Sequence, residues 1–341
     1  MTAERMAQDE RIAPFKAATM TEPGTLRRLD GLIWALIAAV AAIALASPWV
    51  SRFSLSWTTF AVPALAVLAL TGAACFYRRG RPDPRLASGL ENTAQVVAFA
   101  AVGAPLSYLA AAMNLPLQDQ LFAAADRALD LDWRAMLAWM NASPGLYAVL
   151  RLIYLSLTVQ MTTAVLCLAF TGRLLRLRIY TLSFILAALI TIAISALLPA
   201  VGAWPYYGLT AADSPHLTPA VRMSWPVFYG LRDGSFRVLV AVGAEGIISF
   251  PSLHAALAVI LVIALWPIPI LRWLTLYLNL AVLLATPIDG SHYFIDVFAG
   301  IGVAVLCFFL AGKIAARVEQ PGRASGAAVF RTSSAGDASQ I

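Results

Sequence analysis

Eight runs of about twenty apolar residues dominate the chain, and each is long enough to cross a bilayer as a helix. They fall at roughly 31–50, 56–77, 90–113, 145–171, 180–201, 252–270, 273–289 and 293–312. Inside hydrocarbon every backbone N–H and C=O must be paired within the chain, which leaves helices as the form such runs can take. The 341 residues are 60% hydrophobic and only 12% charged, about half the charged share of a soluble globule. The sequence therefore predicts an all-α polytopic membrane protein of about eight transmembrane helices. The first run follows a long polar, partly acidic segment, so it reads as a retained span rather than a cleaved signal.

Basic residues set the orientation. With the N-terminus inside, 17 of the 24 Lys and Arg residues lie in the tails and inner loops. The expected topology is N-in/C-in. The net charge of +6 is scattered among short inter-span segments, so it speaks for membrane topology and against a nucleic-acid partner. Cys75, Cys167 and Cys307 sit in apolar runs with no spacing that suggests a disulfide or zinc site. Residues 1–30 read as a cytoplasmic polar tail, 31–313 as the transmembrane domain, and 314–341, rich in Gly, Ala and Ser, as a disordered cytoplasmic tail.

Two outer segments exceed simple turns. In 114–144, Leu121, Ala125, Leu129, Trp133 and Leu137 recur at helical spacing with Asp119, Asp126, Asp130 and Asp132 between them. That pattern predicts an amphipathic helix on the outer surface, or a solvated linker helix. Segment 202–250 is punctuated by Gly, Pro, Trp and Tyr and carries Arg222, Arg232, Asp233, Arg237 and Glu245.

The chemistry concentrates in three places. His254 opens the sixth run and His292 the eighth, and the 38 residues between them amount to two crossings and a turn. Both histidines are thus expected at the same outer surface. Asp296 follows His292 by four residues, a spacing that shares one helix face. A carboxylate there would fix the imidazole tautomer and leave the other ring nitrogen free as a nucleophile or base. Ser252 precedes the sixth run as an expected N-cap, at a helix start suited to a phosphate. Arg151 lies inside the fourth run, followed by Tyr154, Ser156 and Gln160, and either snorkels or faces a polar cavity. His216 reads as a surface loop residue. A proton-coupled transporter would place such groups near mid-span in related halves, whereas here they sit at helix mouths and no internal repeat is visible.

FPSLHAALA and GSHYFIDVFAG resemble two signature blocks of the type 2 phosphatidic acid phosphatase superfamily, most closely its branch related to inositol phosphorylceramide synthase. Pro251, Ser252 and His254 match one block, and His292 and Asp296 match the next. Leu253 stands where glycine is usual, Ala285-Thr286 stand where Ser-Arg is expected, and no Lys-x6-Arg-Pro block is found. The resemblance implies a six-helix core over spans three to eight and an outward-facing site. It also implies metal-independent phosphoryl transfer without a cofactor, through a phosphohistidine on His292 oriented by Asp296, with His254 as acid and base. Ser252 would bind phosphate, and Arg232, Arg237 and Arg151 are the candidates to replace the missing cations. The substrate would be a membrane lipid phosphate and the acceptor water, or an alcohol such as inositol. In a bacterial inner membrane the site would face the periplasm.

Overall fold

The computed structural model describes residues 23–210, 212–213, 219–241 and 246–319, the side chains of 219–223 excepted. His216, Glu245 and the Arg222 side chain lie outside the described residues. The elements are α1 (Pro23–Val50), β1 (Ser54–Leu55), α2 (Trp57–Arg79), α3 (Pro84–Ala112), α4 (Asp119–Ala128), α5 (Trp133–Ala142), α6 (Pro144–Leu155), α7 (Leu157–Phe170), α8 (Leu174–Leu197), α9 (Ala203–Tyr206), α10 (Pro219–Asp233), β2 (Val238–Leu239), α11 (Leu253–Leu265), α12 (Pro269–Asp289) and α13 (Phe294–Glu319).

Among the described residues six helices, α1, α2, α3, α8, α12 and α13, are long and apolar enough to span a membrane. The pair α6–α7, bent by 45°, passes the same test when taken together, as a broken span or a re-entrant loop. The bend sits at Ser156, whose hydroxyl bonds back to the Ile153 carbonyl at 2.6 Å and competes with the regular ladder. The remaining run is shorter than its apolar stretch: α11 has 13 residues, about 20 Å of helix. Ser252 starts it and the Pro267–Pro269 turn ends it. This short helix is the axis of the bundle. Its Ala256, Ile260, Leu261 and Ala264 pack in one core with Leu177, Ile185 and Ala188 of α8 and with Ala304, Cys307 and Ala311 of α13. Small side chains on all three helices let the backbones approach closely. By contrast α2 buries only Ala74 and leaves Val62, Leu65 and Leu68 on the outer surface, where lipid would lie.

Both ends of the transmembrane domain extend beyond the apolar runs. α1 begins eight residues before the first run because its polar first turns are paired: Asp30 takes Arg178 at 2.9 Å and Arg78 at 3.5 Å. α13 continues to Glu319, so the segment from 314 starts as helix rather than as a disordered tail. Arg28 donates to the Val318 carbonyl at 3.5 Å, which brings the start of α1 and the end of α13 together. The two termini of the domain therefore share one end of the bundle.

The 114–144 segment is two short helices; Trp133 and Leu137 of the expected stripe are buried in α5, whereas α4 buries a different face. Leu121 and Leu129 are exposed, whereas Phe122, Ala123, Trp133, Leu137 and Met140 are buried. Asp130, in the left-handed region at φ 56°, breaks the chain between α4 and α5, and Asp132 caps α5 by accepting from Ala135 N–H at 3.0 Å. Asp119 and Asp126, expected on the polar face, point inward and are buried.

Candidate active site

At the other end of the bundle, the turn between α12 and α13 carries His292. A helix end leaves its last carbonyls unpaired, and two tryptophans answer those of α12. Trp133 Nε1–H is shared between the carbonyls of Pro287 at 3.2 Å and His292 at 3.0 Å. Trp204 Nε1–H donates to Ile288 at 2.9 Å. Ser291 then takes a left-handed φ of 58° and accepts Ala203 N–H on its carbonyl and Trp204 N–H on its hydroxyl. Gly290 fits here because a Cβ would press on His292 Cδ2 and, at 2.8 Å, on the Thr286 carbonyl.

His292 precedes α13, so its pairing with Asp296 is a cap geometry rather than two residues on one helical face. Asp296 Oδ2 folds back over the first turn. It accepts from Tyr293 N–H at 2.9 Å and Ser249 Oγ at 2.7 Å, and lies 3.2 Å from His292 Nδ1. A carboxylate only accepts, so Nδ1 carries the proton and Nε2 carries the lone pair. Ser252 Oγ lies 3.2 Å from that Nε2 and also caps α11 by accepting from Ala255 N–H at 3.3 Å. Ser252 N–H donates to the Asp296 carbonyl at 3.0 Å, joining the starts of α11 and α13. His292 is 3% exposed and Asp296 and Ser252 are fully buried.

Two further acids hold this turn. Asp126 accepts from the N–H groups of Phe294 and Ile295, both at 2.9 Å, so a carboxylate from α4 caps α13. Asp119 takes Val201 and Gly202 N–H and the Tyr293 hydroxyl at 2.9 Å. Burial pushes both carboxyls above the usual carboxylate range, against the pull of those donors.

His254 is exposed and stacked on Tyr154, with ring centroids 4.8 Å apart and planes 17° from parallel. It lies within electrostatic reach of His292, and its ring nitrogens have no hydrogen-bond partner among the described residues. The structure joins His292, Asp296 and Ser252 by contacts of 3.2 Å and sets His254 within electrostatic reach of His292, with the His292–Asp296 pair formed across a cap instead of along the helix face that the spacing predicts. No group of three His, Cys, Asp or Glu able to hold a metal occurs among the described residues.

The three candidate arginines are dispersed. Arg232 donates to the Leu115 carbonyl at 2.7 Å, lies over the Phe228 ring and keeps a buried Nη1 without a partner. Burial lowers its pKa, and the Asp119 charge counters this. Its link to the turn among the described residues is electrostatic, through Asp119, which accepts from the Tyr293 hydroxyl. Arg237 is exposed beside β2, where its carbonyl accepts Ser54 N–H at 2.8 Å. Arg151 lines a cavity of about 220 Å³ on α6 and acts electrostatically on Asp289.

Asp289, like Ser249, is a residue that sequence reasoning missed. It is 2% exposed, and neither carboxylate oxygen has a hydrogen-bond partner. It stands three residues before His292, and its charge also bears on Tyr154. A buried charge that loses its compensation is costly. Arg151→Met is expected to destabilise the protein by about 1–3 kcal/mol, and Asp289→Asn in the same chain to recover most of that loss. Thermal unfolding of the two single variants and the double variant in detergent measures the coupling; additive effects would show that the two charges are independent.

The model of the PAP2 superfamily matches residues 120–310, from α4 to within α13. No curated protein and no solved structure matched the chain. With more than half of its length covered, including the paired histidines and Asp296, the chain belongs to the PAP2 superfamily, that of the type 2 phosphatidic acid phosphatases.

Proposed function

We propose that the protein is an integral membrane lipid-phosphate phosphatase that works through a phosphohistidine at the outer leaflet. Superfamily membership supports an enzyme acting on phosphate esters. The observation that carries the finer reading is the ordering of the His292 ring between Asp296 and Ser252, each at 3.2 Å, with His254 unpartnered at the mouth.

In this mechanism His292 Nε2 attacks phosphorus, the bond from phosphorus to the lipid oxygen breaks, and His254 in its protonated form gives that oxygen a proton. The Ser252 hydroxyl turns from Nε2 to a phosphate oxygen as the lone pair is used. Neutral His254 then takes a proton from water, the water oxygen bonds to phosphorus, and the P–N bond breaks to release phosphate and restore His292. Asp296 holds the ring and compensates the imidazolium charge. Arg151 has the closest link to the His254 side, through Asp289 and Tyr154, and is the first candidate for the missing phosphate cation.

The orientation supports an outward-facing site. Arg27, Arg78, Arg173 and Arg176 gather at the end opposite His292, and basic residues mark the cytoplasmic side. On that reading the site faces the periplasm of a bacterial inner membrane.

Transfer to an alcohol in place of water is the second reading, as in the branch related to inositol phosphorylceramide synthase. It is favoured by Asp289, whose two free acceptor atoms beside Tyr154 could take the hydroxyls of a polyol. Turnover of a panel of lipid phosphates, with and without myo-inositol or glycerol, separates the two by product. Free phosphate as the sole phosphorylated product supports hydrolysis, and a phosphorylated polyol supports transfer. Turnover is expected to persist in EDTA; complete loss restored by Mg²⁺ would exclude the phosphohistidine mechanism as written.

A further inference from the structure

A cavity of about 720 Å³ lies at the end of the bundle away from His292, among the start of α1, the α2–α3 loop, the α7–α8 turn and the α11–α12 turn. α11 separates it from Ser252 by about 20 Å, so it is no part of the site described above. Five arginines line it: Arg27, Arg78, Arg173, Arg176 and Arg178.

Its two carboxylates are already engaged. Asp30 pairs with Arg178 and Arg78, and Asp83 caps α3 by accepting from the N–H groups of Arg85 and Leu86. Among the described residues, Arg27, Arg173 and Arg176 have no carboxylate partner. Arg173 donates to the Pro267 carbonyl at 3.0 Å, and Arg176 to those of Ala264 at 2.7 Å and Ile263. These bonds position the guanidiniums without cancelling their charge. Arg27 is exposed and makes no hydrogen bond or ion pair with a described residue. Arg178 is 3% exposed, yet its Nε has no partner. Beneath these groups the wall is apolar, formed by Leu174, Leu175 and Ile179.

A ring of excess positive charge over an apolar wall, level with the ends of membrane-spanning helices, matches the amphiphilic shape of a lipid better than a soluble anion. We propose that this cavity binds the headgroup of an anionic phospholipid in the leaflet opposite the active site. That lipid is a bound ligand and not the substrate. The phosphate sits among Arg27, Arg173 and the free edge of Arg178, and the acyl chains leave along Leu174 and Leu175. Two basic contacts near a membrane surface contribute enough for a preference of on the order of tenfold or more over a zwitterionic lipid.

The test uses the full chain in a zwitterionic detergent, titrated with phosphatidylglycerol or phosphatidylcholine and followed by native mass spectrometry. The expected result is retention of phosphatidylglycerol at least tenfold above phosphatidylcholine. Arg27→Gln with Arg173→Gln should abolish the preference, and Arg272→Gln, a charge change at the same end but outside the cavity, should keep it. Excess inorganic phosphate should not displace the lipid. Equal retention by the double variant, or displacement by inorganic phosphate, overturns the proposal. So does phosphatidylglycerol binding that appears only after removal of residues 1–22, which would assign the cavity to the chain's own N-terminal segment. The readout is binding, so its failure would leave the catalytic reading untouched.

Discussion

His292→Ala is expected to lower turnover of a lipid phosphate by about four orders of magnitude or more, because it removes the proposed nucleophile. The protein should still insert and fold. Asp296 would keep Tyr293 N–H and Ser249 Oγ as donors, so losing the imidazole costs about 1–3 kcal/mol from one lost partner. His254→Ala should cost less, about 10²–10⁴-fold, as general acid–base catalysis does. The leaving group separates the two roles. With a nitrophenyl phosphate ester, whose leaving oxygen needs no proton, His254→Ala should recover most of its first-step rate, while His292→Ala should recover none. In detergent, the initial burst of alcohol or nitrophenolate reads the first step and phosphate release reads the second, on both substrates. Unchanged turnover by His292→Ala would sink the mechanism, and equal losses for both variants on the activated ester would remove the assigned roles.

The grouping of His292, Asp296, Ser252 and His254 is legible in the sequence because it depends on helix counting and short spacing. Two crossings and a turn bring His254 level with His292, and Ser252 lies where a long apolar helix must start. The acids of α4 were not legible. Asp119 and Asp126 alternate with apolar residues, as a solvated face does, and nothing local reveals that their partners are backbone N–H groups about eighty and 170 residues away. The break at Asp130 compounded this, because a single helical phase cannot be carried across it. Ser249 was hidden for a similar reason: it lies outside any helix and acts only where the chain folds back onto Asp296. The His292–Asp296 pair itself was read correctly from a helical spacing that the structure does not use. A cap places residues i and i+4 together as well as a helical turn does. Asp289 ends a span and could be taken for an ordinary polar helix end; only its burial and its two unpartnered oxygens mark it. Arg232 shows the converse, since a position shortly before the PSLH block in sequence did not bring its guanidinium to the histidines.

Gly300→Ala is expected to destabilise the protein and lower turnover about a hundredfold, although Gly→Ala inside a helix ordinarily stabilises by up to about 1 kcal/mol. The sign reverses because α13 crosses α11 at this position. A Cβ on Gly300 would run into the Ser252 carbonyl oxygen and lie 3.0 Å from Ala255 Cβ. Both obstacles belong to the first turn of α11, which Asp296 ties to α13 through Ser252 N–H. Backbone cannot swing aside as a side chain can, so the helices must separate. Overpacking of this kind costs about 1–3 kcal/mol. The separation also opens the 3.2 Å contact between Ser252 Oγ and His292 Nε2, and a misplacement of about 1 Å at a reacting group can cost about 10²-fold in rate. Gly302 is the internal control, because a Cβ there meets nothing within 4 Å. Gly302→Ala should be neutral or slightly stabilising and fully active. Thermal unfolding and turnover of the two variants, measured side by side in the same detergent, decide the matter. If Gly300→Ala behaves like Gly302→Ala, the close crossing of α11 and α13 is not what sets the geometry of the site.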